Sequence, residues 1–262
     1  MYDFDFVKPA TVADAVKALS ASGAQALSGG QTLLPTIKAR LAQPAVIVSL
    51  TGIGEIRGVC AVDGGVSVGA ATPHAVVAAE VGKYYPALAR LAGGIGDPAV
   101  RNRGTIGGSL ANNDPAACYP SAVLASAAVV HTNKRKIAAD DYFQGMFSTA
   151  LEEGEIITSV TFAIPEKAAY VKFDQPASRF ALTAVFVAKH ASGVRVAVTG
   201  ASNNGVFRWA EAEAALSANF AASAVEGLNM SDKDMISDLH GSAAYRANLV
   251  KVLTKRAVAA AH

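Results

Sequence analysis

Two segments that each carry a Gly-Gly pair among small hydroxyl residues constrain the fold of this chain more than any other feature. Residues 28–35 read Ser-Gly-Gly-Gln-Thr-Leu-Leu-Pro, and residues 104–112 read Gly-Thr-Ile-Gly-Gly-Ser-Leu-Ala-Asn. Paired glycines can adopt positive φ, so that successive backbone N–H groups converge on one anionic group. Four side chains add hydroxyl donors, namely Ser28, Thr32, Thr105 and Ser109. Two such segments in one domain favour a bound diphosphate, and a dinucleotide is the natural ligand of that kind.

The better-known nucleotide motifs do not explain the chain. A P-loop is excluded because the pattern Gly-x-x-x-x-Gly-Lys-Ser/Thr does not occur. Residues 94–99 imitate a Rossmann fingerprint, but Asp97-Pro98 interrupts it and no strand clearly precedes it, so we reject that interpretation. Gly64-Gly65 is interpreted as an ordinary turn within a predicted hairpin.

The composition excludes several classes of protein. Of the 262 residues, 52% are hydrophobic and 17% are charged, and 23 basic side chains nearly balance 21 acidic ones. This near-neutral charge is unlike that of a nucleic-acid-binding protein. A chain with this much apolar content is expected to fold rather than remain disordered, and its length suffices for two compact domains. The N-terminus lacks the basic and apolar regions of a signal peptide, and the most apolar stretch, 122–130, is shorter than the ~20 residues that span a bilayer. We therefore expect no membrane span and a cytoplasmic location.

Residues that usually carry chemistry are sparse. Cys60 and Cys118 alone cannot ligate an iron–sulfur cluster, which normally takes four thiolates. The five histidines are scattered, and no Gly-x-Ser-x-Gly nucleophile elbow is present. Cys118 has the surroundings of a buried thiol, and Trp209 those of a core or interface anchor. We therefore predict no metal site and no catalytic residue, and assign the chemistry to a bound cofactor.

Periodicity and turn signals predict mixed helices and strands in the first part of the chain. Thr11 is expected to cap a helix that ends by Gly23, and Thr72-Pro73 to cap another with the proline as its first residue. Residues 93–115, dense in Gly, Asn, Arg and Pro, are predicted to be a loop. Strands are predicted at 24–27, 44–50, 58–62 and 66–70, and helices at 33–41, 85–92 and 120–130.

The pattern changes after Pro165. Antiparallel strands are predicted at 170–174, 182–189 and 194–200, with a tight turn at 191–193, and helices at 207–216 and 245–261. We therefore place a domain boundary near 165–170.

The two glycine segments carry a resemblance to a known family. Residues 28–35 resemble the Ala-Gly-Gly-His/Gln-Ser/Thr-Leu-Leu-Pro loop of the FAD-binding medium subunits of molybdenum hydroxylases, a family that includes carbon monoxide dehydrogenase, xanthine dehydrogenase and aldehyde oxidoreductase. Residues 105–109 resemble that family's Thr-Ile-Gly-Gly-Asn loop. The surrounding segments also keep the family pattern, so that the resemblance spans nearly the whole chain: 95–104, 112–117, 154–160, 172–179 and 242–246.

The resemblance implies an α+β fold. Residues 1–168 would form a two-subdomain FAD-binding domain like that of vanillyl-alcohol oxidase, with subdomains of about 1–55 and 56–168. Residues 169–262 would form a C-terminal α+β domain with an antiparallel sheet.

The resemblance also implies a role in a heteromeric complex. Substrate would be hydroxylated at molybdopterin in a large subunit. Electrons would pass through two 2Fe–2S clusters of a small subunit to FAD in this chain, and then to NAD, a quinone, another carrier or oxygen. The expected assembly is a heterotrimer, alone or as a dimer of heterotrimers, with no nucleic acid.

The family pattern assigns FAD-binding roles by position. Residues 28–32 and 105–109 would hold the diphosphate, Thr72 and Ile95 would lie near the flavin or its ribityl chain, and Ile157 and Lys172 would face the ring or the adenosine. The full set of implied cofactor-binding residues is Ser28, Gly29, Gly30, Gln31, Thr32, Leu33, Thr72, Ile95, Thr105, Ile106, Gly107, Gly108, Ser109, Asn112, Asp114, Ile157 and Lys172.

Some positions depart from the family pattern. Ser28 stands where most relatives have Ala, Gln31 where many have His, and Ser109 where Asn is usual. Cys118 stands where relatives often carry an Asp that contacts the flavin nucleotide, and Asp114 is a possible substitute. Two alternatives follow: a self-sufficient FAD-dependent oxidoreductase, which would need its own acid or base, or a non-catalytic assembly subunit with a degenerate nucleotide site.

Overall fold

A computed structural model describes all 262 residues of the chain. It contains ten α-helices and four sheets, of three, five, four and two strands. The expectation of an α+β fold that ends in an antiparallel sheet is confirmed. None of the helices combines the length and the apolar character that crossing a bilayer requires.

The first 56 residues build a small parallel sheet. Its elements are β1 (Asp5–Val7), α1 (Val12–Leu19), β2 (Ala24–Leu27), α2 (Leu33–Lys38) and β3 (Val46–Ser49). The strand order is β1-β3-β2 with both pairs parallel, so α1 and α2 serve as crossovers. The Thr11 hydroxyl accepts the Asp14 N–H at 3.1 Å, which confirms the predicted cap of α1.

The next part, up to residue 166, surrounds a five-stranded antiparallel sheet of order β4-β5-β10-β6-β7. Small helices cover it. The elements are β4 (Val59–Val62), β5 (Gly65–Gly69), α3 (His74–Glu80), α4 (Pro86–Gly93), α5 (Pro98–Arg103), α6 (Ile106–Asn112), α7 (Tyr119–Ala125), β6 (Val129–Thr132), β7 (Lys136–Ala138), α8 (Ala139–Tyr142), β8 (Phe143–Gly145), β9 (Ser148–Thr149) and β10 (Ile157–Ala163).

The predicted loop at 93–115 is wrong in its centre, because α5 and α6 lie there. The Asp97 carboxylate accepts the Val100 N–H at 2.9 Å, and Pro98 occupies the first turn of α5. Thr105 caps α6 in the same manner. Both are ordinary helix starts, which the density of Gly, Asn and Pro obscured in the sequence.

Three predicted helices have the wrong bounds. The helix predicted at 120–130 ends at Ala125, since Ala127 has a φ of +46° and the β-branched Val129 and Val130 enter β6. α2 stops at Lys38 rather than Leu41. The helix predicted from Phe207 begins only at Ala210, because Phe207 and Arg208 pair with the neighbouring strand.

The last part of the chain forms the four-stranded antiparallel sheet. Its elements are β11 (Lys167–Asp174), β12 (Ala181–His190), β13 (Gly193–Thr199), β14 (Phe207–Arg208), α9 (Ala210–Ala218) and α10 (Ala243–Ala260). The three predicted strands are confirmed, and pairing of His190 with Gly193 confirms the tight turn between them. Trp209 is only 2% exposed beside α9, in agreement with its predicted role as an anchor.

Strand β12 joins two hydrophobic cores. Ala184, Phe186 and Ala188 face the core that the five-stranded sheet and its helices also build. Val185 and Val187 face the opposite core, under α9 and α10. The two-residue period of a strand explains this division, and β12 is consequently buried on both sides over Ala181–Ala188.

Candidate functional site

A cleft of about 560 Å³ opens between the parallel sheet and the helices of the five-stranded sheet. One wall comes from the end of β2 and the start of α2, and a second from α6 and residues 114–118. Ile156 and Ile157 at the start of β10 close the cleft on one side, and Ser178–Phe180 line it as well. The volume lies in the range of about 300–1,000 Å³ that is typical of cofactor and small-molecule sites.

The first glycine segment connects β2 to α2 and offers a row of hydrogen-bond donors. The backbone N–H groups of residues 29–33 have no partner within the chain. Gly30 has a φ of +72°, the left-handed conformation that glycine adopts without strain. All five of these residues line the cleft, as do Ser28 and Thr36. Unpaired donors at the edge of a cleft fit phosphate oxygens of a ligand.

The other paired glycines serve close packing rather than positive φ, which corrects the argument from the sequence. A Cβ atom on Gly29 would lie 2.1 Å from the Arg103 carbonyl oxygen, and one on Gly107 would lie 2.6 Å from the Ala70 Cβ. Among these glycines only Gly30 has a positive φ. The glycines therefore allow the two segments and β5 to touch, and the hydroxyls of Ser28 and Thr105 join the segments at 2.7 Å.

The second glycine segment is the first turn of α6, and its amides are already used. Gly107 donates to the Ala70 carbonyl oxygen, while Gly108 and Ser109 donate to the hydroxyl and carbonyl oxygens of Thr105. The sequence-based expectation of a second row of free N–H groups is therefore wrong for residues 107–109. What α6 offers the cleft instead is the side chains of Ser109 and Asn112, which have no hydrogen-bond partner in the chain.

Three predicted site residues lie outside the cleft walls. Ile106 is fully buried in the core. Thr72 does not cap α3, which begins after Pro73; its hydroxyl accepts the Gly58 N–H at 2.9 Å and donates to the Gly58 carbonyl oxygen at 3.2 Å. Lys172 lies behind the wall, bound to backbone carbonyls. The structure brings the remaining predicted residues together around the cleft: Ser28, Gly29, Gly30, Gln31, Thr32, Leu33, Ile95, Thr105, Gly107, Gly108, Ser109, Asn112, Asp114 and Ile157.

Sequence reasoning missed His74, the first residue of α3, which lines the cleft. Its ring packs beside Gly104 and lies 5.3 Å, centroid to centroid, from Tyr119. Burial and, secondarily, the nearby charge of Arg101 lower the pKa of His74 to about 4, so that the ring is neutral at pH 7. Its Nδ1 atom is buried without a partner. No local pattern marks this residue, because its neighbours come from distant parts of the chain.

Cys118 also lines the cleft and is 6% exposed, as expected for a buried thiol. Burial raises the pKa of Cys118, which keeps the group protonated at neutral pH and makes it a poor nucleophile.

The cleft holds no pair of groups suited to acid–base catalysis of a substrate. The Glu155 carboxylate is tied to Arg135, Thr132 and the Glu152 N–H, and hydrogen bonds from Arg135 lower its pKa to about 2. The Asp114 carboxylate accepts the Ala116 N–H at 2.8 Å. With His74 neutral and Cys118 protonated, the arrangement suits the binding of a cofactor that brings its own chemistry.

Comparison with known proteins also supports a cofactor-binding site. The model of a family described as the FAD binding domain in molybdopterin dehydrogenase matches residues 2–166. The nicotine 6-hydroxylase medium subunit of Paenarthrobacter nicotinovorans is 34% identical, over 97% of this chain and 95% of its own length. The carbon monoxide dehydrogenase medium chain of Afipia carboxidovorans is 31% identical, over 97% and 95% respectively.

Solved structures share the fold of this chain over nearly its full length. A chain of the reconstituted CO dehydrogenase from Oligotropha carboxidovorans superimposes with a TM-score of 0.90 at 29% identity, covering 98% of this chain and 97% of that one. A chain of quinoline 2-oxidoreductase from Pseudomonas putida 86 gives 0.87 at 27% identity, covering 99% and 96%.

Proposed function

Since the chain belongs to the FAD-binding medium subunits of molybdenum hydroxylases, we propose that it passes electrons from 2Fe–2S clusters of a small partner subunit, through FAD, to an external acceptor. It is the flavoprotein subunit of an oxidoreductase. A large partner subunit would hold molybdopterin and complete a heterotrimer, which could dimerise. The domain boundary in this proposal lies near residue 168, two residues beyond the end of the family match.

The observation that carries the proposal is the row of unpartnered N–H groups at residues 29–33, beside the hydroxyls of Ser28 and Thr32. These donors would hold the FAD diphosphate. Ser109, Asn112 and Asp114 would contact the nucleotide from the opposite wall. Ile95 and Ile157 would supply apolar surface for the flavin ring.

The chain's own residues would bind and orient the cofactor rather than transfer protons to a substrate. FAD, when bound, supplies the electron-accepting chemistry. The imidazole, thiol and carboxylate side chains of the cleft are neutral or tied to neighbours, as described for His74, Cys118, Glu155 and Asp114. This lack of a free acid–base pair speaks against a self-sufficient FAD oxidoreductase, and the free donor row speaks against an assembly subunit with a degenerate site.

The electron-transfer role can be tested in the assembled complex. The complex is made anaerobic, its iron–sulfur clusters are reduced with a limiting amount of dithionite, and the flavin absorption band is followed. We expect the band to bleach after the clusters are reduced and to recover when an acceptor is added. A flavin that stays oxidised beside reduced clusters would overturn the proposed route. Turnover of a small substrate by the isolated chain would favour the self-sufficient enzyme instead.

A further inference from the structure

The Lys172 ammonium is the centre of a hydrogen-bonded junction behind the cleft. It donates to the Gly94 carbonyl oxygen at 2.7 Å and to the Arg179 carbonyl oxygen at 2.9 Å, and it pairs with an Asp174 carboxylate oxygen at 2.7 Å. These three oxygen acceptors can take the three protons of an ammonium group, and the Cys118 Sγ atom lies 3.9 Å from the same nitrogen. The Lys172 side chain is only 6% exposed, whereas its Asp174 partner is 52% exposed at the rim of the junction.

Two of the acceptors belong to segments that line the cleft. Gly94 directly precedes Ile95 and Gly96, and Arg179 lies in the exposed turn of residues 175–180 between β11 and β12. Ser178, Arg179 and Phe180 of that turn all line the cleft. Lys172 therefore connects two parts of the same wall that are 85 positions apart in the sequence, from Gly94 to Arg179.

The turn has no other polar attachment to the rest of the chain. Its remaining hydrogen bonds are internal: Gln175 N–H to the Phe180 carbonyl, Arg179 N–H to the Gln175 carbonyl, and Phe180 N–H to the Ser178 hydroxyl. Its side chains are exposed or half-buried, and Phe180 is 52% exposed. Apolar packing therefore contributes little to holding it, and the Lys172 bond is its one polar tether.

We propose that Lys172 is a positioning residue that holds the 175–180 turn in place as the outer wall of the cofactor cleft. This inference rests on the proposed function for its cofactor, although the tether itself belongs to the chain alone. When Lys172 is replaced by a side chain without donors, the Arg179 carbonyl loses its partner and the turn leaves the wall. The cleft then opens where Ser178, Arg179 and Phe180 line it, and FAD dissociates faster.

Limited proteolysis reports on the tether directly, because trypsin cleaves after Arg179. The full-length chain is digested without cofactor, and cleavage of the Arg179–Phe180 bond is followed by mass spectrometry for wild type and Lys172→Met. Lys189→Met is the matched control, since Lys189 pairs with Glu166 at 3.2 Å and lies away from the cleft. We expect cleavage in Lys172→Met to be about tenfold faster than in the control, the effect of losing about one charge-assisted hydrogen bond.

FAD dissociation is measured on the same proteins by flavin fluorescence, with the thermal unfolding midpoint as a check on folding. We expect dissociation from Lys172→Met to be about tenfold faster when both proteins are compared well below their unfolding midpoints, because loss of the ammonium also lowers the midpoint. Equal cleavage rates in Lys172→Met and Lys189→Met would overturn the proposal, and so would cleavage that is faster without any change in FAD dissociation. If Lys172→Met does not fold, Lys172→Gln replaces it; two amide donors should give an intermediate rate, and a wild-type rate would contradict the proposal. A wild-type protein that binds no FAD, even together with its partner subunits, would refute the cofactor site, while the cleavage rates would still decide on the tether.

Discussion

At the scale of single residues, Gly29 is the point where the two walls of the cleft touch. The space for its side chain is filled by backbone, with the Arg103 carbonyl oxygen 2.1 Å and the Gly104 Cα 2.6 Å from an added Cβ. Backbone atoms cannot turn away as the end of a long side chain can, so even one methyl group would push the segments apart.

Gly29→Ala is therefore expected to lower the free energy of unfolding by about 1–3 kcal/mol, the usual cost of overpacking. It should also weaken FAD binding at least about tenfold by displacing the row of donors. Thermal unfolding and FAD titration measure the two effects. Gly227→Ala is the control, because nothing lies within 4 Å of its Cβ position; a Gly29→Ala protein that behaves like this control would refute the account.

Glu155 predicts a pH dependence of stability. The hydrogen bonds from Arg135 lower the pKa of Glu155 to about 2 from its ordinary value of 4.5, and its side chain is fully shielded from solvent. A carboxylate with a lowered pKa stabilises the fold above its ordinary pKa and loses that contribution as the pH falls toward the lowered one. Glu155→Gln should cost about 2 kcal/mol at pH 7, and this difference from wild type should vanish between pH 4.5 and 2.

Urea unfolding at a series of pH values tests this prediction. Glu152→Gln serves as the control, because Glu152 makes ion pairs nearby but its side chain is 56% exposed. Its effect should stay below about 1 kcal/mol, as for other exposed pairs. A Glu155→Gln deficit that persists unchanged at pH 2.5 would show that the charge of Glu155 is not its cause.

At the scale of elements, the helix α10 is fixed to the antiparallel sheet by one buried arginine. Arg246 donates to the carbonyl oxygens of Leu182 and Gly200 at 2.6 and 2.8 Å, and to both carboxylate oxygens of Asp238. Its side chain is 4% exposed. Removing the guanidinium leaves two buried carbonyl oxygens without a donor, while the partly exposed Asp238 carboxylate keeps the N–H groups of His240 and Gly241.

Arg246→Met is thus expected to lower the free energy of unfolding by about 2–4 kcal/mol, because two buried carbonyl oxygens lose their donor. The free energy of unfolding of Arg246→Lys should lie between those of wild type and Arg246→Met, because an ammonium cannot reproduce the bidentate contact. Chemical denaturation measures both, with the exposed Arg256→Met as the control. A loss of under about 1 kcal/mol in Arg246→Met would mean that apolar packing alone seats the helix.

The sequence predicted elements well where one local signal dominates. Strand-forming residues on either side of a tight-turn signal identified β12 and β13, and a polar cap identified α1. The prediction failed at α5 and α6, because their polar caps lie in a segment rich in glycines, which the fold needs for close packing. Most of the site residues predicted from the family pattern do line the cleft, whereas His74 and the turn at 175–180 were not predicted, because only tertiary contacts bring them there.

At the scale of the whole molecule, the two main sheets share one core. Ala168, Tyr170 and Phe186 of the antiparallel sheet pack in the same cluster as Val160 and Leu110 of the preceding part. Neither part can lose its structure without exposing apolar surface of the other. The chain should therefore unfold as one cooperative unit, despite the boundary proposed near residue 168.

Trp209, the only tryptophan, makes this testable because it is buried in the second core. Its fluorescence and the far-ultraviolet circular dichroism of the chain should give superimposable unfolding curves in urea. Two steps in circular dichroism, of which the tryptophan signal follows one, would show that the parts unfold independently.

The central claim is that the cleft holds FAD, and an absorption spectrum of the purified chain tests it most directly, alone and together with its partner subunits. The account predicts the bands of an oxidised flavin, with about one FAD per chain released on heating. It also predicts that Gly29→Ala, but not Gly227→Ala, reduces this amount. A colourless wild-type protein that takes up no FAD on incubation, even in the complex, would contradict it.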